Sequence, residues 1–98
     1  MKKYHLSATA LADFDETSEF LLSKSVSASE RWEAGILDGL HHIAEWPHTG
    51  HKNPLLGPSL RIWNAGEYVI VYMEEADPVF IVAILHGARN IPHIMQQR

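Results

Sequence analysis

The chain has 98 residues, 46% of them hydrophobic, and a net charge of −4, the size of one small domain. It has no cysteine, which excludes a disulfide framework and thiolate chemistry, and no apolar run reaches the ~18–20 residues that a membrane-spanning helix needs. Residues 1–50 hold eight acids against four bases, and residues 51–98 hold four of each; this is not the basic stripe of a protein that grips nucleic acid through its phosphates.

After Met1-Lys2-Lys3 come Tyr4-His5 and soon Asp13, with no apolar core of a signal peptide. A cytoplasmic location is therefore expected. A domain this small buries only about two-thirds of its unfolded surface, so its stability should be modest. A bound partner would raise it by mass action.

Lys2 to Ser7 reads as a short strand with Tyr4 and Leu6 on one face. It is too short to stand alone and must join a later sheet. Ser7 is placed to cap a helix over residues 8–24. Leu11, Phe14, Leu21 and Leu22 follow helical spacing there, Ser18 fills the gap, and Asp13, Asp15, Glu16 and Glu19 are assigned to the solvated face. Ser27 and Glu30 have the capping-box spacing for a second helix over residues 28–45. Its stripe is Trp32, Ile36, Leu40 and Ile43, broadened by Leu37 and Ala44. Gly35 and Gly39 weaken that helix by up to ~1 kcal/mol each. Either they admit another backbone closely or they are simply tolerated. Trp46-Pro47 should stop the helix, leaving an antiparallel helical hairpin to pack on the sheet.

His48 to Pro58 is the one long loop. Leu60 to Pro92, LRIWNAGEYVIVYMEEADPVFIVAILHGARNIP, then reads as three strands in a row. Leu60–Asn64 alternates, with Leu60 and Ile62 on one face and Arg61 and Trp63 on the other. Asn64-Ala65-Gly66 is turn chemistry, Gly66 being free to take positive φ. Tyr68–Met73 and Val79–Leu85 are continuous apolar runs, separated by Asp77-Pro78. Their short gaps favour antiparallel hairpins. Gly87 can end the last strand, and Pro92 should hold Ile91 extended. The order β-α-α-β-β-β predicts one α+β domain over residues 1–98: a helical hairpin packed on a mainly antiparallel four-stranded sheet.

Seven histidines invite a metal reading, but His41 and His42 point about 100° apart on a helix. No HExxH motif accompanies them, so no metal or other cofactor is expected. For Arg61 and Arg89 two arrangements are open. Their guanidinium groups converge on an anion, or they pair with the chain's own acids and carbonyls. His86 closes the last strand as a proton donor or acceptor near neutral pH, or as a satisfied histidine. Trp32, Trp46, Trp63, Tyr68 and Tyr72 are assigned to the core and its rim; for Trp63, sharing a face with Arg61, the alternative is an exposed anchor in a protein interface.

The residues LR-W, G-YVI-Y and HGAR-IP, with LSATALADFDE near the start, resemble the ParE branch of the ParE/RelE superfamily of bacterial toxins over nearly the whole chain. The resemblance implies the toxin of a type II toxin–antitoxin pair of the plasmid-stabilising kind. Its target would be DNA gyrase and its neutralising partner a small antitoxin. The alternatives are a RelE-like ribosome-dependent mRNA endonuclease and a non-toxic interaction module on the same scaffold. RNA cleavage without a metal must deprotonate a 2′-hydroxyl, stabilise phosphate charge and protonate the leaving oxygen. The related ribonucleases use lysines, arginines and a C-terminal tyrosine. Arg61 and Arg89 fall where two of the basic residues would, Lys52 stands for a lysine, and His86 is the nearest proton carrier. The tyrosine position is Met95, which transfers no proton. The set is incomplete, so direct nucleic-acid contact belongs to the nuclease alternative alone. Arg61, Trp63 and Arg89 are the interface candidates for antitoxin or target.

Overall fold

The computed structural model describes residues 3–98. Strand β1 is Tyr4–Leu6; Lys2, part of the predicted strand, lies outside the described residues. Helix α1 is Ala8–Leu22 and helix α2 is Val26–Glu45. A 3-10 turn at Pro54–Leu56 precedes β2 (Leu60–Ala65), β3 (Tyr68–Met73) and β4 (Val79–His86), and helix α3 is Ile91–Gln96. The sheet order is β1-β4-β3-β2. β2, β3 and β4 pair antiparallel and β1 runs parallel to β4, giving the expected α+β arrangement of a helical hairpin on a four-stranded sheet. None of the described helices is long and apolar enough to cross a membrane.

Ser7 caps α1 as expected, its Oγ accepting from Ala10 N at 3.0 Å. The second cap is displaced: Ser25, not Ser27, accepts from Ala28 N, so α2 starts at Val26. Two serines two residues apart compete for one cap, and the earlier one gains an extra half-turn of helix. The stripe of α2 is buried as predicted through Ile36, Leu40, Ile43 and Ala44, but Leu37 faces solvent. In α1 only Ala10 is fully buried; Phe14 packs on the core from its rim, while Leu11 and Leu22 are exposed. No backbone approaches either glycine: a Cβ at Gly39 would meet the side chains of Ile70 and Trp63, at 3.0 and 3.4 Å, and one at Gly35 meets nothing.

Both faces of the sheet are covered. Ile70, Tyr72, Ile81 and Ile84 pack under the hairpin with Ile36, Leu40 and Ile43. Ile62, Val69, Val71, Ala83 and Leu85 pack on the opposite face with Ile91, flanked by Leu56, Ile94 and Met95. The β3–β4 register slips between Val71 and Tyr72, whose partners are Ala83 and Ile81. This leaves Val82 as the extra residue of a bulge. It changes the phase of β4: Val79 and Ile81 face the hairpin before it and Ile84 after it.

Helix α3 corrects the expectation that Pro92 holds Ile91 extended. Ile91 is the first helical residue, capped by Asn90, whose side chain accepts from His93 N at 3.2 Å. Proline in a first helical turn costs nothing, because the N–H it lacks has no partner there.

Candidate functional site

The chemistry-bearing side chains gather at two opposite ends of the sheet. At one end the segment after α2 is tied to β2 and β3. Tyr72, fully buried on β3, donates from its hydroxyl to Pro47 O at 2.7 Å and accepts from Gly50 N at 2.9 Å. His51 exchanges two backbone hydrogen bonds with Ile62 of β2, at 2.9 and 2.8 Å. Arg61 donates to Gly50 O at 2.6 Å. Gly50 suits this contact because a Cβ would lie 2.6 Å from the Tyr72 hydroxyl and 2.7 Å from Ile62 O.

Beneath this segment sits Glu74, its side chain only 4% exposed. Arg61 Nε lies 2.8 Å from its Oε2, a close ion pair although not an aligned hydrogen bond. Lys52 Nζ is 3.4 Å from its Oε1, and His48 Nδ1 meets Oε2 as well. The Arg61 guanidinium, against the opposing effect of burial, holds the Glu74 carboxyl below its usual range. Burial pushes the Tyr72 hydroxyl up, opposed by the Gly50 N–H and the Arg61 charge.

Arg61 and Lys52 therefore do converge, but on the chain's own carboxylate rather than on an open anion site. Lys52 also donates to Pro58 O at 3.0 Å. Arg89 is not with them. Arg61 sits opposite Tyr72 near the start of β2, whereas Arg89 follows His86, whose β3 partner Tyr68 is at the far end of the same ladder. The two arginines do not share an anion. Arg89 is exposed and lines a cleft of about 210 Å³ with Asp13, Glu16, Tyr68 and His86. His86 accepts from Ala88 N through Nδ1 at 3.0 Å, which leaves the proton of a neutral ring on Nε2. That nitrogen is 4.0 Å from Glu67, and the ring meets Tyr68 edge-on.

Trp63 is not the exposed anchor that the alternation of β2 suggested. It packs against the core under α2, its ring stacked on His42 with centroids 4.5 Å apart. Met95 packs on the sheet face opposite the one that carries Arg61. Asp13 also leaves the solvated face assigned to it. Its carboxylate accepts from Ile84 N at 3.0 Å and takes both nitrogens of Arg98 at 2.7 and 2.8 Å. Asp13 in turn keeps Arg98 more firmly protonated than usual.

Glu74 was missed by sequence reasoning; Tyr72 is buried as its core assignment required, whereas Trp46, assigned with it to the core or its rim, is exposed. Glu74 had a signal: the β2–β3 turn fixes the register, Leu60 faces Met73, and Glu74 follows Met73. Trp46 is 61% exposed at the end of α2, between a cleft of about 470 Å³ and the loop that Tyr72 anchors. The arrangement favours contact over bond-making. Arg61 and the half-exposed Lys52 share the single Glu74 carboxylate, and the exposed aromatic is held on a hydrogen-bonded backbone.

A search of curated proteins returns no match. The family model described as "ParE toxin of type II toxin-antitoxin system, parDE" matches residues 4–91, a span that holds the hairpin, all four strands and the Glu74 cluster. The chain belongs to the ParE toxins of type II toxin–antitoxin systems.

Proposed function

We propose that this toxin acts in the cytoplasm as a protein inhibitor of DNA gyrase, that a cognate antitoxin from the neighbouring reading frame neutralises it, and that the pair serves plasmid stabilisation. One observation carries the choice of target over RNA. Lys52 and Arg61, two of the basic residues that the nuclease alternative requires, are both engaged by the buried Glu74 carboxylate. Arg89 lies at the other end of the sheet and Met95 on its other face. A ribonuclease needs cations free to meet phosphate and a group to protonate the leaving oxygen. A gyrase poison needs neither; it needs a complementary protein surface. The net charge of −4 points the same way.

Induced expression without antitoxin tests the reading, with growth, DNA-damage signalling and mRNA integrity scored together. The expected outcome is growth arrest with damage signalling and intact bulk mRNA. Cleavage of ribosome-bound mRNA by the purified protein, abolished by Arg61→Ala without unfolding, would replace this reading with the nuclease.

A further inference from the structure

The segment that closes α2 is rigid and presents an aromatic side chain outward. Trp46 N donates to His42 O at 2.8 Å and Trp46 O accepts from Thr49 N at 3.0 Å. Pro47 O and Gly50 N are both held by the Tyr72 hydroxyl, and the Thr49 hydroxyl pairs with His42 Nε2 at 3.1 Å. Trp46 is nevertheless 61% exposed. An aromatic group on an immobile backbone loses little conformational freedom on binding, and tryptophan is among the commonest energetic centres of interfaces.

What surrounds the ring is directional. The apolar cleft beside it, lined by Glu45, Trp46, Pro47, His48 and Thr49, shares Pro47 and His48 with a second cleft of about 660 Å³. The second cleft is rimmed by Glu75 and Asp77, with Lys3 the one base at its edge besides His48. Glu45, Glu75 and Asp77 form no ion pair among the described residues. The surface thus combines one apolar anchor with an excess of negative charge, three carboxylates against Lys3 and the His48 ring.

We propose that Trp46 and this acidic rim form the surface by which the toxin engages gyrase, and that they fit a basic face of that enzyme next to an apolar recess. An enzyme that handles DNA must present positive charge to phosphate, so it carries a face of the sign this rim complements. The inference rests on the gyrase reading and adds the contact surface to it.

The test uses purified full-length toxin and purified gyrase, with inhibition of supercoiling and direct binding measured for each variant. Trp46→Ala should weaken both by roughly tenfold or more, and Trp46→Phe should recover part of the loss. Glu75→Lys combined with Asp77→Lys should weaken binding and reduce its dependence on salt. Leu55→Ala is the control: Leu55 is 73% exposed but lines neither cleft, and its loss should change nothing. Melting curves on all variants should stay close to wild type. If wild-type toxin inhibits gyrase and Trp46→Ala and the double reversal inhibit it equally, the surface is wrong and the gyrase reading stands. If wild-type toxin leaves gyrase unaffected, both fall. If Trp46→Ala still inhibits gyrase but is no longer neutralised by antitoxin, the surface belongs to the antitoxin and this proposal is overturned.

Discussion

Tyr72→Phe removes one oxygen atom from a fully buried side chain and leaves the ring in place. The hydroxyl has two partners, and they are not equivalent. Gly50 N is buried, and without the hydroxyl it has no acceptor; Pro47 O is partly buried and gains access to water more easily. A buried donor left unsatisfied costs about 1–3 kcal/mol, and a hydrogen bond whose acceptor is rehydrated about 1 kcal/mol or less. The expected loss is therefore about 2–3 kcal/mol. For a domain of this size each kcal/mol moves Tm by about 4–8 °C, so a fall of about 8–24 °C is expected. Urea titration followed by circular dichroism should show a lower midpoint with an unchanged slope, the mark of lost stability without a change in the surface exposed. The pH dependence supplies a second signature. Burial raises the Tyr72 hydroxyl above its ordinary value of 10.0, so between the unfolded and folded values only the unfolded state releases the proton. That contribution is fully present below about pH 10 and is lost as pH rises through the folded value. Tyr72→Phe should remove this component of alkaline destabilisation. The hydroxyl also fixes the loop that carries Trp46, so the same substitution should weaken gyrase binding non-additively with Trp46→Ala. A Tm within about 2 °C of wild type would show that the loop is not held through Tyr72, and the rigidity argued for Trp46 would go with it.

Glu74→Gln should cost about 2 kcal/mol near neutral pH, the range of hydrogen bonds to charged groups. Because Arg61 lowers the Glu74 carboxyl, its contribution is present above about pH 4.5 and fades as pH falls through the folded value; denaturant midpoints of mutant and wild type should converge in acid. Gly35→Ala, with open space around the added Cβ, should stabilise by up to about 1 kcal/mol in the same titration. Gly39→Ala should not, because Ile70 Cδ1 and Trp63 Cδ1 at 3.0 and 3.4 Å must move first. Asp13→Ala leaves Ile84 N and the Arg98 guanidinium without their carboxylate; a loss of about 1–3 kcal/mol and faster amide exchange at Ile84 are expected.

The hairpin and the three C-terminal strands were legible because their periodicities are long and the turns between them carry proline or glycine. Tyr68–Met73 has the bounds read from its β-branched and aromatic run. What alternation does not contain is which face of a strand the helices cover. In β2, Leu60 and Ile62 looked like the core side and Arg61 and Trp63 like the free side. The hairpin packs over Trp63, and the face of Ile62 is closed by α3 and the 3-10 turn. Six residues with proline in the first turn give too little pattern to announce α3. Asp13 sits among acids that do face solvent, and nothing local marks it as the one whose carboxylate meets an unpaired strand amide. Arg61 illustrates the opposite case. Pairing with an acid of the chain was one of its two readings, and the hairpin register selects Glu74.

The bulge at Val82 bears on why the two ends of this sheet differ. Strand β1 accompanies β4 only as far as Ile81. Beyond that point α1 supplies side chains where a strand would supply backbone: Ser7 and Thr9 hydroxyls at 3.4 Å from Val82 O, and Asp13 on Ile84 N. Unpaired strand edges invite association, and here that edge is closed by polar groups of the chain itself. The other end is built the other way round. Its polar groups meet one another below the surface, Tyr72 and Arg61 through hydrogen bonds to the loop and Arg61 and Glu74 as an ion pair, and outside them stand an indole and three carboxylates that form no ion pair among the described residues. Polar groups that satisfy each other internally fix a loop without offering it to solvent or phosphate. A loop fixed in that way presents Trp46 with little freedom to lose on contact, which is the premise of the surface proposed above.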